Sequence, residues 1–134
     1  MREQVKVTFP GGMRVDAEYK GFTIKTDQPV YAGGEGSSPA PFDLFLASIA
    51  TCAGFYVLAF CQNRGIPAEK ASLIMSTEKS AETKMIEKII LEARLPEEFP
   101  EKYRRAIIRS VHSCAVEAHI QKAPAFEIKT RIGG

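Results

Sequence analysis

Three cysteines, Cys52, Cys61 and Cys114, are the side chains of this chain with the widest chemical repertoire. A thiol works as nucleophile, redox centre or metal ligand only when it is held as thiolate; otherwise it packs as a small hydrophobe. Cys52 is surrounded by small residues, Ala47, Ser48, Ala50, Thr51, Ala53 and Gly54, which leave room for a pocket or for another helix to approach closely. Cys61 follows nine residues later, half a turn out of phase at 100° per residue, so the two cannot meet across one straight helix. Burial is the ordinary fate of such a cysteine, and Cys61 reads as packing. If Cys52 has a thiol partner, that partner is Cys114. The segment His112-Ser113-Cys114-Ala-Val-Glu places Cys114 at a helix start, where unpaired N–H groups and the helix dipole favour a thiolate. Cys52, about three turns into its own helix, has no such help and is expected to need a Lys or Arg brought from elsewhere in the fold.

Other chemistries find less support. A zinc site built from Cys52, Cys114, His112 and His119 has neither a C-x-x-C nor an H-x₃₋₅-H element. The two histidines, seven residues apart, read as surface or helix-end residues. A Cys–His hydrolase built on Cys114 lacks a recognisable nucleophile motif. Gly33-Gly34-Glu35-Gly36-Ser37-Ser38 has Ser where a phosphate-binding loop needs Lys, and reads as a flexible entrance to the helix that follows. The runs Glu97-Glu98 and Arg104-Arg105 read as solvated faces.

The elements that must position these thiols follow from periodicity. Val5, Val7 and Phe9 alternate with polar neighbours, Pro10-Gly11-Gly12 turns the chain, and Met13, Val15, Ala17 and Tyr19 resume the alternation. Lys20-Gly21 turns it again before Phe22, Ile24 and Thr26. Three antiparallel strands are predicted, with one apolar face for a long helix to cover. That helix enters near Ser37-Ser38-Pro39 and Pro41, where Ser can cap and Pro fits the first turn, and stops at Gly65 and Pro67. Its stretch from Leu44 to Cys61 carries no charge and is about 27 Å long as a helix. A helix apolar on all sides is either a membrane span or the buried centre of a soluble fold. The many Ala, Ser and Thr residues, and the amphipathic segments on both sides, favour the buried centre.

Residues 69–79 and 84–95 read as a hairpin of strands. Pro96 and Pro100 bracket a helix carrying Tyr103, Ile107, Ile108 and Val111 at helical spacing, and a shorter helix runs from Ser113-Cys114 to before Pro124. Phe126, Ile128, Thr130 and Ile132 alternate as a last strand. The predicted class is α+β, with order βββ-α-ββ-αα-β in one domain over residues 1–134.

Composition bounds the functional class. Of 134 residues, 45 % are hydrophobic and 25 % charged, which excludes a disordered or fibrous chain. A net charge of +2 gives no electrostatic reason to expect nucleic acid or an anionic membrane as partner. The odd cysteine count and an N-terminus with no signal-peptide core point to the reducing cytoplasm.

The run Gly-Ser-Ser-Pro-Ala-Pro-Phe-Asp-Leu-Phe-Leu-Ala-Ser-Ile-Ala-Thr-Cys52, the later Cys114 before a short helix, and the element order resemble the osmotically inducible protein C (OsmC) and organic hydroperoxide resistance (Ohr) family over nearly the whole chain. The resemblance implies an intertwined homodimer with two long helices buried at its centre, and a thiol-dependent peroxidase that needs no cofactor or metal. In that mechanism Cys52 attacks an organic hydroperoxide, Cys114 resolves the sulfenic acid as a disulfide, and an external dithiol restores both thiols. An apolar pocket beside Cys52 is implied, with Phe42, Phe45, Phe55 and Tyr56 as lining. By the same resemblance Asp43 corresponds to the family's acid and Arg14 to its activating cation. Asp43 lies nine residues before Cys52, half a turn off and about 13.5 Å along the axis, so a shared site needs the second subunit. In the Ohr branch the acid is Glu one residue earlier, where Phe42 stands, and Pro commonly follows the second cysteine, where Ala115 stands. The chain is nearer an OsmC-like branch, for which the alternative is a non-catalytic small-molecule binding protein.

Overall fold

The two tight turns predicted near the N-terminus set the register of the first sheet. Lys20 and Gly21 both take positive φ (52° and 82°), the combination a two-residue hairpin needs to follow the right-handed strand twist. The computed structural model describes residues 3–133. Its strands β1 (Lys6–Gly11), β2 (Arg14–Tyr19) and β3 (Phe22–Thr26) form an antiparallel sheet in the order β1-β2-β3. Lys6 faces Glu18 and Asp16 faces Lys25, so opposite charges pair across both ladders. A bulge interrupts β1 between Thr8 and Gly11. The chain divides into two compact units, Met1–Ala47 and Ser48–Gly134, and this sheet belongs to the first.

The loop after β3 is not the flexible entrance its Gly and Ser content predicted. Asp27 is buried, and its carboxylate accepts from Gln28 N (2.7 Å), Ser37 N (3.0 Å) and Ser37 Oγ (2.6 Å), with Glu35 N at 3.3 Å. These donors, the Ser37 hydroxyl first, hold the Asp27 carboxyl at about 2. Gly34 closes the loop: a Cβ there would stand 2.0 Å from Gln28 O, so no other residue fits. Ser37 is thereby spent on Asp27 rather than on capping. The helix α1 (Pro41–Asn63) is instead capped from within, as Asp43 Oδ2 accepts from Ala40 N at 3.0 Å.

In the second unit, α1 ends where sequence predicted. Gly65 takes φ 65°, Ile66 N donates to Cys61 O (2.9 Å) and Gly65 N to Gln62 O (3.3 Å), which satisfies carbonyls the helix end would leave unpaired. Strands β4 (Ser72–Lys79) and β5 (Ile86–Arg94) form the expected hairpin. Helices α2 (Arg104–Val111) and α3 (Ala115–Gln121) follow. The core is a stripe of α1, Val57, Phe60 and Cys61, against Phe99 and Ile107. Phe60, Phe99 and Tyr103 form an aromatic cluster, and the Arg64 guanidinium stacks 3.6 Å from the Phe60 ring centre.

One expectation is corrected here. The last strand does not form: residues 123–132 carry no strand, and Ile128 and Ile132 are 91 % and 100 % exposed. A strand exists only by hydrogen bonding to a neighbour, and among the described residues none is offered to this segment. α1 is buried on one side by its own chain. Within this chain only Ile49, Ala53, Val57, Phe60 and Cys61 are buried, while Phe55 and Leu58 on the other side are exposed, as are Val7, Phe9, Phe22 and Ile24 of the first sheet. Among the described residues α1 is the one helix long and apolar enough to cross a membrane. Its buried stripe is the centre of the second unit's core.

Candidate functional site

The site is a meeting of one helix middle with one helix start. Cys114 is the residue before α3, in an extended conformation (φ −57°, ψ 124°) whose side chain makes no capping bond. The first N–H groups of α3 therefore have no partner within the helix. The fold brings them against sulfur. Cys52, half-buried in the middle of α1, is favoured as thiolate by the Cys114 thiol and by the N–H groups of Val116 and Ala115. Both cysteines are free thiols.

The two sulfurs are pushed in opposite directions. The Cys52 thiol is held below its ordinary value, by Cys114 first and then the Val116 N–H, with partial burial opposing and the Ala115 N–H adding. Cys114 is only 2 % exposed, and burial pushes its thiol up. Donation to Cys52 and the charge developing there raise it further, against the N–H groups of Glu117 and Val116. This corrects the expectation from sequence. The helix start was expected to activate Cys114; its N–H groups favour both thiolates, but burial and donation to Cys52 outweigh them at Cys114, so the thiolate is favoured at Cys52. The helix start itself was legible in Ser113-Cys114, but which sulfur is favoured as thiolate is a tertiary fact. Cys61, in the core, is raised by burial alone, as befits packing.

Arg14 and Asp43 are each engaged within the first unit. Arg14 Nε donates to Gly11 O at 3.2 Å, and the side chain borders a polar cavity of about 310 Å³ with Asp16, Lys25 and Ser37. Asp43 caps α1 as described. Phe42 and Phe45 contact each other with centroids 5.5 Å apart, and Phe55 meets Tyr56 edge-on at 5.3 Å. None of these four aromatics lines the cavity that reaches Cys114. That cavity, about 390 Å³, has Cys114 in its wall with Ile49, Ile86, Ile89, Leu91 and Ile120, and its polar part is Glu87, Lys88, Glu117 and Gln121. Sequence reasoning did not single out these residues. The β5 alternation, with Ile89 and Leu91 on one face, was the signal available. Glu117 also borders a second apolar cavity of about 200 Å³ shared with Ile89 and Leu91, and its Oε1 lies 3.3 Å from both His112 Nδ1 and Gln121 Nε2. His119 Nδ1 lies 2.7 Å from Ala115 O, one helical turn back. Among the described residues no group of three metal-ligating side chains comes together.

Comparison with known proteins identifies the family and the fold. A family model for OsmC-like protein matches residues 34–129, which include both thiols. An OsmC-like protein from Mycoplasma pneumoniae superposes with a TM-score of 0.69 at 15 % identity, over 92 % of this chain and 89 % of that one. An organic hydroperoxide resistance protein OsmC from Legionella pneumophila gives 0.60 at 21 % identity, over 90 % of each chain. An OsmC-like hydroperoxide resistance protein from Jannaschia sp. CCS1 gives 0.54 at 17 %, over 96 % and 91 %. These identities establish a shared fold. No curated protein matches the chain in sequence.

Proposed function

The chain belongs to the OsmC-like protein family, whose solved relatives include hydroperoxide resistance proteins, and on that premise we propose that it is a thiol-dependent peroxidase for organic hydroperoxides. The observation that carries the reading is the Cys52 sulfur, favoured as thiolate and in hydrogen-bond contact with a second, protonated thiol. The Cys52 thiolate attacks the distal peroxide oxygen. The O–O bond breaks, the alkoxide leaves and takes a proton to become the alcohol, and Cys52 becomes a sulfenic acid. Cys114 then attacks that sulfur, giving up its proton as hydroxide departs as water, and the Cys52–Cys114 disulfide forms. An external dithiol returns both to thiols, a cycle suited to the cytoplasm.

We further propose that residues 1–134 act as one such domain, and that Arg14 and Asp43 reach the thiol pair in a homodimer. Three exposed apolar features support the second copy: Phe55 and Leu58 on α1, the β1–β3 face, and the unpaired segment with Phe126, Ile128 and Ile132. Phe42, Phe45, Phe55 and Tyr56 remain the proposed peroxide-side lining, since Tyr56 and Phe55 lie one turn beyond Cys52 and Phe45 two turns before it on the same helix. The rival reading, a non-catalytic small-molecule binder, draws on the apolar cavity beside Cys114.

The test is turnover. Reduced protein mixed with cumene hydroperoxide should consume two thiols per chain and yield a Cys52–Cys114 bridge on non-reducing peptide mapping. Cys52→Ser should lower peroxide consumption at least about a hundredfold, as loss of a covalent nucleophile does. Wild-type rates in that variant, or untouched thiols with a co-purified ligand, would favour the binder.

A further inference from the structure

We propose that the reducing thiol enters through the cavity between β5 and α3 and attacks Cys114, so that Cys52 is the sulfur released. This rests on the reading that the two cysteines cycle through a disulfide. The bridge has two ends, and they lie on different surfaces. Cys114 forms part of the cavity wall, whereas Cys52 does not; the cavity's contribution from α1 is Ile49, one turn earlier. Cys52 instead sits on the α1 side flanked by Tyr56 and Phe55, and Phe55 is exposed. The cavity thus offers an approach to Cys114 and not to Cys52. A peroxide must reach Cys52, the nucleophile, which leaves the β5–α3 side free for the molecule that undoes the bridge.

The chemistry of the wall selects its occupant. Ile49, Ile86, Ile89, Leu91 and Ile120 make much of it apolar, with Glu87, Lys88, Glu117 and Gln121 as its polar part, and about 390 Å³ accommodates a short alkyl chain carrying two thiols. One thiolate of that dithiol attacks Cys114 Sγ along the S–S axis. The Cys52–Cys114 bond breaks, its electron pair leaves on Cys52, and a mixed disulfide joins the reductant to Cys114. The reductant's second thiol, as thiolate, then attacks its own bridged sulfur. It closes its own disulfide and expels Cys114, which takes up a proton. Two electrons pass from the dithiol to the protein, and the atoms balance. The leaving sulfur in the first exchange is the one that the α3 N–H groups receive as thiolate, and an exchange runs faster toward the better leaving thiolate.

Regiochemistry tests this independently of peroxidase activity, because the bridge can be made with diamide instead of peroxide. Bridged protein is treated with one equivalent of 1-hexanethiol, quenched with iodoacetamide and mapped by mass spectrometry. The expected product carries hexanethiol on the Cys114 peptide and carbamidomethyl on Cys52; the reverse labelling overturns the proposal. In a second measurement, Ile120→Glu puts a carboxylate on the exposed rim of the cavity. Reduction of the bridge by 1,6-hexanedithiol should slow at least about tenfold relative to reduction by a hydrophilic phosphine, since an apolar chain would have to lie against a charge. An unchanged ratio also overturns it. A bridge that forms with diamide but not with cumene hydroperoxide defeats the peroxidase reading and leaves this one to the labelling result. Failure of both oxidants to form a bridge defeats the two together.

Discussion

At the scale of single residues, the division of labour between Cys52 and Cys114 comes from hydrogen bonds that neither cysteine supplies alone. Cys114 is the largest of the donors that favour the Cys52 thiolate. Cys114→Ala should therefore slow alkylation of Cys52 by iodoacetamide at pH 7 and move its pH profile to higher pH, while Cys114→Ser, which keeps a donor, should move it less. An unchanged profile in both variants would mean that the α3 N–H groups act without Cys114. The residue identities were legible early: the small neighbours of Cys52, the helix-start position of Cys114 and the odd phase of Cys61 all stand in the sequence. What was not legible is which sulfur gains. Periodicity fixes where a residue lies on its own helix, and the N–H groups of Ala115 and Val116 reach Cys52 only through packing between residues more than sixty positions apart.

Among the elements, strands and helices with strong periodicity formed where alternation and breakers predicted, from the β1–β3 meander to the Gly65 stop of α1. The loop before α1 departed from expectation because composition reports flexibility only when nothing ties a loop down. One buried carboxylate ties this one, gathering donors from Gln28, Glu35 and Ser37. Its stability should carry a signature in pH. The Asp27 carboxyl is held at about 2 against 3.8 when unconstrained. A depressed carboxyl stabilises the fold fully above its unfolded value and loses that contribution as pH falls through the folded one. Asp27→Asn should therefore melt at lower temperature than wild type at pH 7. The gap should narrow between about pH 4 and pH 2, as read by thermal denaturation followed by circular dichroism. A gap constant across that window would assign the loop's order to Gly34 and the backbone bonds instead.

For the whole molecule, a single chain leaves apolar faces uncovered. The sequence predicted a last strand and an enclosed central helix, and in the single chain the first has no partner while the second shows Phe55 and Leu58 to solvent. Both patterns belong to the faces for which a second copy is proposed; periodicity marks such faces and does not say which chain covers them. Leu58→Glu should weaken self-association at least about a hundredfold, the cost of placing a carboxylate in an apolar contact, as measured by sedimentation. Wild-type sedimentation in that variant would remove α1 from the interface. Cys61 behaves oppositely to such faces, being 0 % exposed with its thiol raised. Sealed this way, it serves as a built-in tally mark: Ellman's reagent should leave Cys61 uncounted on the intact protein and register it only in guanidinium, so that this one sulfhydryl reports foldedness.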